Sequence, residues 1–551
     1  MRLSIALFAA LSLMLALPAK AAVAETAGYS PWRITKTEWT EANEKGFGEF
    51  VRAIAESGCT TTLECMRGPG NPYRASDPPA LEFHMDCAKW VYTLRAYYAW
   101  KNGLPFGHVN AVAGPGTDIR FGEKGNRVIS RRDPVDKGNG LPVSSLFSEL
   151  RDSVYSATYR IDASDSGPLQ SDFYSPKIQP GSIRPGTVIY DINGHVTIVY
   201  AVEADGRIRY MGADPDNTVT HSVYGPQFGQ GAMALGGGFK NFRPLKLVGA
   251  TLRNGNYIGG HIVPAADSEI ADFSLEQYRG SGPDADGDGP DAIFQYRDAP
   301  AGLFEYVRGT LSGGTYSFDP VREMNLGMDA LCHDLQERVG YVDAAIQAQM
   351  DKRPEPAFLP GNIYASDDKD WEAYASPSRD ASLRDKFVQL TLDLAKFVLQ
   401  SQAQGRNFKE IWALKGELQQ AYNEKAVACR ITYNNSASQP VSFGFDEAVQ
   451  RLFAMSFDPY QCAERRWGAT SDAELATCKD DETKTRWYQA EQNLRNQVDR
   501  SYVARARFTL ADLEGDVPGS GTKAPPPADV AALIGKIGRG PLMAAMEPVG
   551  F

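Results

Sequence analysis

The sequence predicts an α+β protein: a buried helix beginning at Cys87 and packed on an antiparallel sheet, followed by a mainly helical C-terminal domain. Three observations predict it. Between Asp86 and Gly103 the residues Val91, Leu94, Ala96, Tyr97, Tyr98 and Trp100 are apolar almost all round a helix, with only Lys89 and Arg95 charged. From Ile183 to Met211 short β-branched and aromatic runs alternate with Asn193-Gly194 and Asp205-Gly206 turns. Beyond Leu331 the apolar residues fall into stripes of 3.6-residue period.

Arg2, an apolar run from Leu3 to Leu17, and small residues up to Ala21 and Ala24 read as a secretory leader over residues 1–24. The run is too short to span a bilayer, so no membrane span is expected and an exported, periplasmic or extracellular protein is. The net charge is −11 over 551 residues. Acidic residues are dispersed, which argues against nucleic acid as a partner and for a solvated surface. The hydrophobic fraction of 43% is enough for a sizeable core.

Export changes how the seven cysteines read. Cys59 with Cys65, Cys332 with Cys429, and Cys462 with Cys478 pair by proximity and context, leaving Cys87 over. Six cysteines allow 15 pairings, so this is a preference among several connectivities.

In chain order, a helix is expected over Glu41 to Glu56, then an irregular loop carrying Cys59, Cys65 and Gly68-Pro69-Gly70. Asp86 is a competent N-cap and Asn102-Gly103 a competent stop, so Cys87 falls in the first turn of the next helix. A thiol there feels the positive end of the helix dipole, which favours the thiolate. Gly107 to Gly140 reads as a long irregular stretch. A meander follows: Ile183 to Asp191, His195 to Val202, and Arg207 to Met211. His195 shares a strand face with Thr197, Val199 and Ala201, and that face is expected to look inward. A four-residue loop at Glu203 to Gly206 sets His195 opposite Asp214, and a two-residue turn sets it opposite Asp216. Either register gives a nucleophile, a base and an orienting carboxylate.

Asp86-Cys87 opening a buried helix, then about a hundred residues later Pro185-Gly186-Thr187-Val188, Gly194-His195-Val196 and a polar residue on the following strand together resemble the papain-like hydrolases of the NlpC and CHAP kinds. The resemblance spans roughly Glu82 to Asn217. It implies a papain-like domain with Cys87 as nucleophile, His195 as general base, and Asp214, or alternatively Asp216, as the residue orienting the imidazole. It further implies attack on an amide or carbonyl carbon through a thioester, most often in cell-wall peptides, so that a peptide or peptidoglycan-like substrate is the expected partner. This chain has Asp86-Cys87-Ala88-Lys89 where NlpC-type enzymes usually carry Asp-Cys-Ser-Gly. The Cys87 backbone N–H would stabilise an oxyanion, with His84 as a possible second donor.

Gly236-Gly237-Gly238 suits a tight turn or a close backbone approach better than a phosphate site. Asp284, Asp286 and Asp288 with Gly289 match the first half of a calcium loop. Its twelfth position is Gln295, so a solvated linker is the preferred reading, calcium the alternative, and no other cofactor is expected. Leu331, Leu335, Val339, Val342, Ile346 and Met350 form one helical stripe, and Leu383, Phe387, Leu390, Leu394 and Val398 a second. A further helix is expected from Thr483 to Phe508. The loop from Asn362 to Asp380 is expected mainly to cap the helix after it, with a ligand groove as the alternative. The resulting division is a leader at 1–24, a papain-like hydrolase domain at 25–265, a linker with the Asp-rich loop at 266–320, a helical domain at 321–514 and a flexible Pro/Gly-rich tail at 515–551. Two functions fit: an exported thiol-dependent amide hydrolase or acyltransferase, and an inactive envelope-binding or structural protein built on the same domain.

Overall fold

The computed structural model of the protein describes residues 31–538, apart from 116–118, 123, 166, 226–227, 229, 283–284, 298, 365, 367, 404–407, 499–506 and 516. The leader assigned to residues 1–24 lies outside the described residues.

Helix α1 (Glu41–Glu56) starts on Thr40, which forms a capping box with Asn43, and buries Phe47, Phe50, Val51 and Ile54. Helix α2 (Thr62–Arg67) carries one half of the Cys59–Cys65 disulfide. Helix α3 (Cys87–Lys101) starts on Asp86, whose carboxylate accepts the Lys89 N–H at 3.0 Å, and every residue from Trp90 to Trp100 is buried. Arg95 is tolerated there because Glu44 takes both ends of its guanidinium at 2.7 and 2.6 Å, while its plane lies 3.3 Å from the Trp39 ring centre.

The stretch expected to be irregular is not. Strands β1 (His108–Ala113) and β2 (Arg127–Arg132) pair within it, and helix α4 (Val143–Ser153) follows. Arg131 is compatible with burial because Asp172 and Asp133 both reach it, at 2.7 and 3.1 Å.

The main sheet has six strands: β3 (Phe173–Tyr174), β4 (Val188–Tyr190), β5 (Val196–Val202), β6 (Ile208–Ala213), β7 (Val219–Val223) and β8 (Gly238–Phe242). Their spatial order is β3-β8-β4-β5-β6-β7, antiparallel throughout. Gly236 and Gly238 before and within β8 have φ of 61° and 86°, the left-handed turn that the glycine cluster suggested. Strands β9 (Leu245–Val248), β10 (Thr251–Arg253), β11 (Asn256–Ile258) and β12 (His261–Pro264) add two small pairs, β9 with β12 and β10 with β11.

Both faces of the main sheet are buried. Val196, Ile198 and Met211 join the core around α1 and α3, whereas Ile189, Val199, Tyr210 and Phe239 form a second core. The face of Thr197 and Val199 looks inward as expected, both residues being fully buried, but it packs on the second core and not on α3.

What covers the second face is the segment read as a linker. Residues 266–320 hold helix α5 (Glu276–Arg279), the hairpin β13 (Phe294–Tyr296) and β14 (Ala299–Ala301), and helix α6 (Leu303–Leu311). Val307 and Leu311 enter the second core, and the Gln277 amide bonds both the N–H and the carbonyl of Phe239, at 2.8 and 2.9 Å. The linker reading is thus overturned.

Helix α7 (Pro320–Gln347), helix α8 (Lys369–Tyr374), helix α9 (Pro377–Ala403) and helix α10 (Phe408–Ala428), with the hairpin β15 (Arg430–Asn434) and β16 (Pro440–Gly444), build the second domain. Leu331, Leu335, Val342, Leu383, Phe387, Leu394 and Leu418 meet in its core, so both stripes pack as read. Met350, the last residue of the first stripe, is buried just past the helix, after Gln349 has turned left-handed at φ 57°.

The domain docks on β7, the edge strand of the sheet. Glu337 of α7 accepts the His221 N–H at 2.8 Å, and Lys386 of α9 bonds Ser222 at 2.7 Å and Asp334 at 2.6 Å. Polar side chains thereby occupy an edge that would otherwise invite strand pairing.

The helix expected from Thr483 to Phe508 breaks into Glu482–Ala490 and Gln492–Asn496, and residues 499–506 lie outside the described ones. Part of the segment read as a flexible tail is packed: Val530–Lys536 is helical, and Val530, Leu533, Ile534 and Ile537 are buried in the helical core, while 516 and 539–551 lie outside the described residues. Disulfides join Cys59 to Cys65, Cys332 to Cys429, and Cys462 to Cys478. Among the described residues, no helix is long and apolar enough to cross a membrane.

Candidate active site

Cys87 is the remaining cysteine, free and half-buried at the start of α3. Asp86 fixes that start: one carboxylate oxygen caps the Lys89 N–H, and the other pairs with the Lys89 ammonium. Helix geometry leaves the N–H groups of Cys87 and Ala88 without an i−4 carbonyl. The Tyr159 hydroxyl holds the Ala88 carbonyl at 2.7 Å, and Tyr159 itself stacks between Phe173 and Tyr190. Across from the sulfur lies the beginning of β5, where the Val196 backbone N–H bonds to it.

His195 immediately precedes β5. Its register with β6 comes about in two steps. Val202 faces Ile208 and Ala201 faces Arg209, one residue further along than the four-residue loop required; a bulge between Val199 and Ala201 then absorbs the difference, so Val199 faces Tyr210 and Ile198 faces Met211. Continued to the strand ends, this register sets His195 opposite Asp214. The imidazole leans over Gly212: a Cβ built on that residue would meet His195 Nε2 at 3.2 Å and Thr197 Cγ2 at 3.1 Å.

Cys87, His195 and Asp214 line one cavity of about 260 Å³. His195 lies just ahead of β5, at the end of the sheet. The cavity's opposite wall comes from the helical domain, through Tyr364, Trp371, Glu372, Ser378 and Arg379. The loop from Asn362 to Asp380 thus does more than cap α9. It also lines the cavity that Cys87 lines.

Burial pushes the Cys87 thiol above the ordinary thiol range, and the charges of Asp86 and Asp214 push it the same way, against the Val196 N–H and Lys89. The helix dipole does not prevail, and the thiolate expected from position alone is corrected to a protonated thiol at rest. Burial likewise pushes the Asp214 carboxyl up to about 7, opposed by Arg379 and reinforced by Asp216. Asp216, the alternative orienting residue, is committed elsewhere: it accepts Thr218 N–H and hydroxyl bonds at 3.0 and 2.6 Å and pairs with Arg379 at 3.0 Å.

His84 is exposed and is not among the residues lining the cavity, so its oxyanion role is not supported by position. Of the proposed calcium ligands, Asp284 lies outside the described residues, Asp286 is exposed, and Asp288 accepts the Met233 N–H at 2.7 Å. Among the described residues, the one cluster with metal-ligand types in close reach is Cys462, Glu464 and Cys478, whose two sulfurs are joined in a disulfide.

The wall from Ile363 to Arg379 belongs to the loop for which a ligand groove was the alternative reading; what the sequence did not indicate is the partner of Arg379. Arg379 finds Asp216 at a separation of 163 residues, which no local pattern records. Comparisons with protein-family models, with curated proteins and with solved structures found no match to this chain.

Proposed function

We propose that the protein is an exported, thiol-dependent hydrolase or acyltransferase acting on an amide bond, with Cys87 as nucleophile, His195 as general base and Asp214 as the residue that orients the imidazole. The observation that carries this reading is that the one unpaired cysteine opens a buried helix against the first N–H of β5 and shares a cavity with His195 and Asp214. The resemblance to papain-like hydrolases of the NlpC and CHAP kinds supports the same roles.

Since the resting thiol is protonated, deprotonation and attack have to be coupled. His195 takes the Cys87 proton as the sulfur adds to the carbonyl carbon, and returns it to the leaving amine as the thioester forms. Water, or a second amine, then resolves the thioester with His195 again as base. The oxyanion formed at each addition would be met by the Cys87 and Ala88 N–H groups at the helix start. A cavity lined by Lys89, Arg120, Glu372 and Arg379 beside Trp371 and Tyr364 suits a polar peptide. The leader-like first residues and the three disulfides support export, and with it a cell-wall or envelope peptide as substrate.

The test is incubation of the purified protein with muropeptides from digested bacterial cell wall, followed by mass spectrometry. The expected result is release of amide-cleaved or amine-exchanged fragments, lost in Cys87→Ala and in His195→Ala. The same fragments from Cys87→Ala at an unchanged rate would end the reading.

A further inference from the structure

We infer that Arg379, contributed by the helical domain, is a positioning residue for the Cys87 site: its charge favours the ionised carboxylate of Asp214 against burial, so that Asp214 can orient and stabilise the His195 imidazolium. This rests on the reading of Asp214 and His195 given above and goes beyond it in making the second domain part of the site.

Arg379 lies in the first turn of α9, yet its guanidinium is spent on the first domain. One nitrogen stands 3.0 Å from the Asp216 carboxylate, 3.2 Å from the Thr218 hydroxyl and 3.6 Å from Asp214 Oδ2. Its plane lies 3.8 Å from the centre of the Tyr341 ring on α7. Three contacts besides Asp214, from two domains, hold the group, so its distance to Asp214 is imposed rather than chosen. At 3.6 Å the contact is electrostatic and not a hydrogen bond.

That matters because Asp214 is buried, at 6% exposure, and Oδ2 has no hydrogen-bond donor among the described residues. After Arg379 the largest charged influences on it are acidic: Asp216 beside it, Glu337 from α7 and Glu372 from α8, while Lys386, Lys89 and Arg120 line the cavities it faces. Cys87 and His195 share its cavity. Burial and three acidic neighbours favour the neutral acid, which cannot stabilise a cation. Arg379 is the largest influence in the other direction.

The experiment follows the ionisation of Asp214 from the ring opposite. Histidines carrying ¹³C at Cε1 give no more than six signals, and His195→Gln assigns the one that matters. In the wild-type protein the His195 signal should show a step as Asp214 titrates, and Asp214→Asn should remove it. Arg379→Gln should move the step to higher pH by about 1 to 3 units. Arg379→Lys, which keeps the charge, should bring it part of the way back. Asp216→Asn should move it to lower pH, since an acidic neighbour is lost while Arg379 remains.

A step unmoved by Arg379→Gln overturns the inference. So does movement in one direction by both Arg379→Gln and Asp216→Asn, the mark of general loosening. Should Arg379→Gln fail to fold, the opposite shifts required of Arg379→Lys and Asp216→Asn decide the matter alone. Iodoacetamide labelling of Cys87 in the same samples separates the two claims. An inert Cys87 with the steps moving as expected would sink the hydrolase reading and leave the Arg379–Asp214 coupling standing; a reactive Cys87 with unmoved steps would do the reverse.

Discussion

The register of β5 with β6, continued past the strand ends, sets His195 opposite Asp214 because a bulge at Tyr200 takes up the residue that the connecting loop adds. A bulge re-aims the side chains beyond it, and without this one every residue towards the strand end would shift by one and the side chains would change face. The same geometry leaves His195 resting on Gly212, whose missing side chain makes room for the ring.

Gly212→Ala tests that support. Its backbone is not in the left-handed region, and the added methyl would lie 3.1 Å from Thr197 Cγ2 and 3.2 Å from His195 Nε2. The stability cost should be small to moderate, about 1 to 3 kcal/mol for overpacking. The effect on Cys87 reactivity should be larger, on the order of tenfold or more, because the imidazole must move. Denaturant melts and alkylation rates measured on one preparation check both.

Asp214 makes stability depend on pH with a definite sign. The unfolded chain releases its proton near pH 3.9, whereas the folded protein keeps it to about 7. Between those values the folded state binds more protons, so this residue's contribution is present in full below about pH 4 and is lost as pH rises through 7. Melting temperatures taken from pH 4 to 8 should therefore show a downward component that Asp214→Asn lacks. Parallel curves for the two proteins would contradict it.

The C-terminal helix is structural. Ile534 is fully buried in the helical core and Leu533 nearly so. Ile534→Ala should cost about 2 to 5 kcal/mol in chemical denaturation. A cost near zero would restore the flexible-tail reading.

Cys332–Cys429 closes the longest of the three disulfide loops, a separation of 97 residues, and ties α7 to the residue following α10. Replacing both cysteines by alanine should destabilise the helical domain by about 2 to 5 kcal/mol, read from urea melts. Labelling of Cys87 should continue in the double variant at temperatures below its melt.

How far the sequence was legible follows from where the signals lie. Glu41–Glu56, the meander from Val188 to Ala213 and the stripes of α7 and α9 announce themselves because capping residues, turn pairs and apolar period are all local. The cysteine pairing was legible as a preference from proximity and context, with Cys87 left over. Arg127–Arg132 did not read as a strand because a buried arginine is acceptable only through Asp172, 41 residues away. The segment 266–320 read as a linker because α6 is short and its burial is decided by a sheet built earlier in the chain. Cys87 shows the limit most plainly: helix position argues for a thiolate, but desolvation by the surrounding core and the charges of Asp86 and Asp214 outweigh it. The pairing of Arg379 with Asp216 carries no local signal at all.

The most direct test of the central claim is iodoacetamide labelling of the native, unreduced protein, with the modified peptide located by mass spectrometry across pH 6 to 9. The account predicts a single labelled cysteine, Cys87, reacting slowly at pH 6 and faster as pH rises, with His195→Ala slowing it at least tenfold near neutrality. Labelling that appears only after denaturation, or a rate indifferent to His195, would contradict it.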